Sequence, residues 1–339
     1  MLRRSTHPPS WDARSRIPVS PMPGVARPSV PTPSSTTSIA TVRPIVTLTQ
    51  QHEPDFVPTA VKLDLLARFA ALGFRRIEAT SYSNPAVVPQ FADASEVLKR
   101  LPRKDGVSYK ATCANVRAVE RAVADLEAGH GAGELSLLVS ASDTHSRKNL
   151  NRGREEQWEN IADMVRVAGG RFKLVGTVSV AFGCPFEGRI EQRIVREDVQ
   201  RFLGLGVRHV ALGDTTGMAT PAGVQNMFTV LGRLRYLIPI AHFHDSRGTG
   251  LANYVAALEA GVTHFDSSFG GVGGHPAKVK YGGGHTGNVA TEDLVNLFES
   301  MGVDTGIDLG QLLETAEYCE QVLGRELHGR VTRSGLGVS

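Results

Sequence analysis

Residues 207–245 read VRHVALGDTTGMATPAGVQNMFTVLGRLRYLIPIAHFHD, and this stretch decides the fold. Val207–Gly213 is a short run rich in apolar residues, of strand length. Ala222–Tyr236 carries apolar residues at three-to-four spacing, the mark of a helix with one buried face. Ile238–His244 is a second strand-length run. A strand, a helix and a further strand in close succession form the unit of a parallel sheet.

The same unit repeats outward in both directions. Strand-like runs fall at Ile45–Thr49, Phe74–Thr80, Val107–Thr112, Glu134–Ser140, Phe172–Val180 and His264–Ser268. Helical periodicity falls at Ala60–Leu72, Val116–Ala128, Trp158–Ala168, Ile194–Leu205, Leu251–Ala260 and Leu294–Met301, with an added C-terminal helix at Leu309–Leu323. Eight strands in roughly 260 residues predict a closed (β/α)₈ TIM barrel. No Gly-x-Gly-x-x-Gly follows an early strand, which argues against an open dinucleotide-binding sheet.

Three segments follow. Residues 44–330 form the barrel domain and residues 331–339 a tail. Residues 1–43 differ in composition: the first 44 residues hold nine of the 18 prolines and six arginines, with Asp12 the sole acid. That composition predicts a disordered Pro/Ser/Arg-rich leader; an organelle transit peptide is the alternative. The location expected is cytoplasmic, or the mitochondrial matrix if the leader is such a peptide.

A net charge of +3 is too small to argue for nucleic acid, and no run of eighteen apolar residues exists to span a membrane. Cys113, Cys184 and Cys319 are too sparse for a disulfide framework.

Barrel active sites lie at the C-terminal ends of the strands. His242 and His244 are two apart on a strand, so both rings face the same way and can share one metal ion. Asp245 either orients a histidine or caps the following helix. Glu78 ends the second strand after an apolar run; a buried glutamate there needs a partner. Asp214, at the end of the sixth strand, either forms a turn that caps the helix starting near Thr220-Pro221 or fixes a metal or substrate hydroxyl. After the last strand, two glycine clusters, Gly270–Gly274 and Gly282–Gly284, read as a lid carrying His275, Lys278 and Lys280. The lysines either meet phosphates or are surface charges. Asn288 closes this stretch, as a neutral metal ligand or an N-cap.

Read together, RRIEATS, VVPQFADASEVLK, RKNLN, VSVAFGCPFEG, LGDTTGMATP, HFHD, DSSFGGVGGHP and GNVATEDLVNLFESMGVDTGIDL resemble the hydroxymethylglutaryl-CoA lyase family over roughly residues 44–330. The resemblance implies retro-Claisen cleavage of an acyl-CoA substrate with Mg²⁺ or Mn²⁺, in a homodimer. It assigns His242, His244 and Asn288 as metal ligands and Glu78 and Asp214 as catalytic carboxylates. Two departures stand out. The family carries Arg-Asp-Gly at the end of strand one, where this chain has Thr47-Leu48-Thr49. His275 stands where the family has a cysteine, and becomes the candidate acid. A catalytically silent homologue and a Claisen-type acyl-CoA synthase are the alternative readings.

Overall fold

The computed structural model describes residues 41–47, 55–274 and 287–337. Eight parallel strands close into a barrel in sequence order. They are β1 (Arg43–Thr47), β2 (Arg76–Ser81), β3 (Ser108–Cys113), β4 (Glu134–Ser140), β5 (Lys173–Ser179), β6 (His209–Asp214), β7 (Ile238–Phe243) and β8 (His264–Ser268). The helices are α1 (Thr59–Leu72), α2 (Ala94–Arg100), α3 (Val116–Glu127), α4 (Asp143–Leu150), α5 (Arg154–Ala168), α6 (Gln192–Gly204), α7 (Pro221–Leu231), α8 (Gly250–Glu259), α9 (Thr291–Ser300), α10 (Leu309–Leu323) and α11 (Val331–Ser334).

The expected strands are all present, and α10 is the added C-terminal helix. Three short helices, α2, α4 and α11, have too few turns to show a period. β1 starts at Arg43, one residue inside the stretch that composition assigned to the leader, and α11 lies in the stretch read as a tail. α7 starts where Thr220 and Pro221 predict: the Thr220 hydroxyl accepts from Gly223 N, and Pro221 sits in the first turn, where a missing N–H costs nothing.

The main core lies between sheet and helices. Val46, Ile77, Leu137, Val178, Leu212 and Phe243 on the outer face of the strands meet helix residues such as Leu66, Phe69, Ile161, Phe202 and Phe228. The barrel interior is different. Its apolar filling is the small separate cluster of Ile45, Val175, Ala211 and Ile240. Barrel interiors are usually filled by bulky branched side chains; here polar groups occupy the interior on either side of that cluster. On the N-terminal side, at the floor, Arg76 donates to the Glu134 carboxylate, and Lys173 Nζ lies 3.1 Å from Glu134 Oε1. Burial opposes ionisation of Glu134, yet the Arg76 contacts outweigh it and hold its pKa at about 2. The polar groups on the other side make the candidate site.

Candidate active site

His242 and His244 both turn into the barrel mouth, with Nε2 atoms 3.3 Å apart and rings at 74°. This follows from the two-residue period of an extended chain. His242 Nδ1 lies 3.2 Å from the main-chain oxygen of Asp266. A carbonyl only accepts, so in the neutral ring Nδ1 carries the proton and Nε2 offers its lone pair toward His244.

Asn288 joins them through an antiparallel bridge to His244. Its Nδ2 donates to Val272 O at 2.8 Å, while its buried Oδ1 has no hydrogen-bond partner among the described residues. The N-cap of α9 is Ala290, so Asn288 is not that cap. Asp245 takes the capping role at α8: its Oδ1 accepts from Gly250 N at 2.9 Å.

Glu78 stands across the mouth on β2. The Thr112 hydroxyl donates to Oε1 at 2.7 Å, and Lys110 Nζ sits 2.7 Å from Oε2. The β2–β3 register slips between Glu78 and Thr80, a bulge of the kind that re-aims a side chain beside a site. Lys110 also reaches Asp266 Oδ2 at 3.5 Å, and Asp266 Oδ1 accepts from the Thr47 hydroxyl at 3.0 Å. Burial alone would lower the Lys110 pKa, but Asp266 and Glu78 outweigh it and hold it above the usual lysine value. Burial likewise opposes ionisation of Asp266, and Lys110 and His242 overcome it, keeping this carboxyl below its ordinary pKa. Glu78, Lys110, Asp266, His242 and His244 thus form one continuous line of contacts.

Asp214 is fully buried and serves the β6 turn. Met218 N donates to Oδ1 at 2.7 Å and Ala219 N to Oδ2 at 3.1 Å. Burial raises its pKa to about 6 despite these donors. Its two oxygens are therefore both engaged by backbone. The candidates His275, Lys278 and Lys280, and the strand-one residues Leu48 and Thr49, lie outside the described residues.

Sequence reading missed Lys110 and Asp266. A signal was present: Ser108-x-Lys110-x-Thr112 and His264-x-Asp266-x-Ser268 alternate polar residues along strands that should be buried on both faces. It also missed Glu292, a buried carboxylate whose oxygens both accept from Gly270 N at 3.0 Å. Burial raises its pKa to about 7. Glu292 pins the chain between β8 and Asn288.

The donors fit a divalent cation in part. Two imidazole nitrogens about 3 Å apart have the spacing of ligands sharing one ion at about 2.1 Å, and the amide oxygen of Asn288, without a partner among the described residues, offers a third, neutral acceptor. Among the described residues, no three His, Cys, Asp or Glu side chains form a metal-holding group. A separate cavity of about 530 Å³, lined by Asn115, Arg117, Glu120, Arg152 and Asn160, contains none of these residues.

A closed parallel barrel with a histidine pair and a held carboxylate at the C-terminal rim defines a (β/α)₈-barrel enzyme. Residues 49–319 match the HMGL-like family. The chain is 37% identical over 289 residues to the mitochondrial hydroxymethylglutaryl-CoA lyase of Rattus norvegicus, covering 84% of this chain and 85% of that protein. It is also 37% identical over 286 residues to the hydroxymethylglutaryl-CoA lyase YngG of Bacillus subtilis, covering 83% and 91%. An Acinetobacter baumannii HMG-CoA lyase, solved with coenzyme A and 3-methylmalate, superposes with a TM-score of 0.82 at 35% identity, covering 88% of this chain and 96% of that one. The chain belongs to the HMGL-like family and is a lyase of the hydroxymethylglutaryl-CoA lyase type.

Proposed function

We propose that this lyase cleaves a 3-hydroxy-3-methylglutaryl-CoA-like thioester to acetyl-CoA and a ketoacid, with a divalent metal, Mg²⁺ or Mn²⁺. The carrying observation is the convergence of the His242 and His244 Nε2 atoms, with Asn288 bridged to His244 and its amide oxygen without a partner among the described residues, and Glu78 held across the same mouth. The complex of the related lyase with coenzyme A supports an acyl-CoA substrate.

His242, His244 and Asn288 would hold the ion. Bound there, it would supply Lewis acidity toward the substrate hydroxyl and a carboxylate oxygen. The Asp266 carbonyl keeps His242 in the tautomer whose Nε2 faces the site. Glu78 is the proton-transfer carboxylate: Thr112 and Lys110 fix its direction and leave lone pairs for a substrate proton. Asp214 acts one step back, shaping the turn that follows β6. Loss of the C–C bond leaves an enolate of the small acyl-CoA. His275 is the acid that returns a proton to it, since imidazole titrates near neutrality.

Purified protein incubated with hydroxymethylglutaryl-CoA and Mg²⁺ tests this reading. Acetoacetate formation is the expected result. Its absence, with free thiol released from acetyl-CoA and a ketoacid instead, would replace cleavage by condensation. His275→Ala with full turnover would remove His275 from the reaction.

A further inference from the structure

The barrel register places Glu78 between two neighbours. On the β1 side its partner is Thr47; on the β3 side it is Lys110. Side chains paired across adjacent parallel strands project to the same face, so three residues stand in a row in the interior. Thr47 brings a hydroxyl, and it occupies the position where the family resemblance sets an arginine. Lys110 brings the positive charge.

The surroundings show what that charge does. Lys110 is 4% exposed and Asp266 is 7% exposed. A buried ammonium is tolerated only with partners, and Lys110 has two, Glu78 Oε2 at 2.7 Å and Asp266 Oδ2 at 3.5 Å. The other oxygen of each carboxylate takes a threonine hydroxyl, Thr112 for Glu78 and Thr47 for Asp266. Arg76, the other nearby cation, is committed to Glu134 below. A lysine gripped by two carboxylates has no free lone pair, so a nucleophilic or Schiff-base role does not fit.

We infer that Lys110 is the positioning cation of this active site, standing on the β3 flank of Glu78 where Thr47 leaves the β1 flank uncharged, and acting through Glu78 and Asp266. The inference rests on the lyase reading above for its kinetic readout. Lys110 fixes the proton-transfer carboxylate against Thr112 and offsets negative charge at the base of the mouth.

The test compares Lys110→Ala, Lys110→Ala with added methylammonium, and the relocation variant Thr47→Arg/Lys110→Ala, all assayed for hydroxymethylglutaryl-CoA cleavage. Lys110→Ala should lower kcat by about 100-fold, in the range seen when a charge-stabilising group is removed, with KM changed less than about threefold. Methylammonium should restore part of the lost rate, and Thr47→Arg/Lys110→Ala should regain about tenfold. A wild-type kcat for Lys110→Ala, or a loss that neither cation restores in folded protein, overturns the inference. If Lys110→Ala does not fold, Lys110→Met/Asp266→Asn keeps the charge balance of the cluster, and wild-type turnover there overturns the inference equally. If the unaltered protein shows no cleavage, the lyase reading fails. The positioning claim is then read from a crystal structure of the variant: Glu78 displaced from Thr112 supports it, and Glu78 unmoved refutes it.

Discussion

The floor and the mouth of this barrel are both built around buried charges, Arg76 and Glu134 at one end and Lys110 and Asp266 at the other, yet they differ in what they leave unsatisfied. At the floor, Arg76 and Lys173 both pair with Glu134, and the atom of these three left without a partner among the described residues is a donor, Arg76 Nη1. At the mouth, an acceptor, Asn288 Oδ1, has no partner among the described residues, on a chain bridged to His244, whose Nε2 faces that of His242. A cation needs acceptors. Buried polarity alone therefore does not mark the reactive end; the sign of the leftover hydrogen-bonding capacity does.

Changes at the two ends should separate function from stability. His244→Ala should give the largest effect, loss of divalent-ion binding and of turnover to background with the thermal midpoint preserved, seen by calorimetric titration and steady-state assay. Glu134→Gln should do the reverse. It leaves Arg76 and Lys173 without their carboxylate and should cost about 3–5 kcal/mol in denaturant unfolding, with ion binding at the mouth unchanged. A variant at either end that damaged both properties equally would erase the distinction.

Gly270→Ala probes the link between β8 and Asn288. Gly270 has φ +62°, and an added Cβ would lie 2.4 Å from Leu327 Cδ1. The expected cost is about 1–3 kcal/mol, together with weaker ion binding, because Gly270 is the residue that Glu292 pins. A stability loss without any change in binding would uncouple this segment from the site.

The smallest expected effect is on pH dependence at the floor. Burial, followed by the charge of Arg76, lowers the His264 pKa from 6.5 to about 4. As pH falls from 6.5 toward 4, the unfolded chain takes up a proton that the fold refuses, so stability drops through this window. His264→Asn should make that acid limb shallower in a pH series of thermal melts, the remainder coming from His209 and His145, whose pKa values burial also lowers to about 4. An unaltered limb would mean that His264 does not carry it.

The alternation of strand runs and helical faces made the barrel legible, because each element repeats the same burial pattern. The histidine pair was legible for a similar local reason: two rings at i and i+2 must share a face. From its own neighbourhood Asn288 admitted two readings, ligand or N-cap, and only the family resemblance chose the ligand; α9 begins three residues later at Thr291. Asp214 and Asp245 each admitted two readings, because a carboxylate before a helix looks the same whether it caps backbone or meets a ligand. Lys110 and Asp266 were hidden because their meaning lies in register. Nothing local says that strands three and eight bring an ammonium and a carboxylate together across the interior.

Crystals of the protein soaked in Mn²⁺, with anomalous scattering measured at the manganese edge, test the central claim most directly. The account predicts one peak per chain within coordination reach of His242 Nε2, His244 Nε2 and Asn288 Oδ1. A protein that cleaves substrate with Mn²⁺ but shows its peak elsewhere, or shows none at this place, would contradict it.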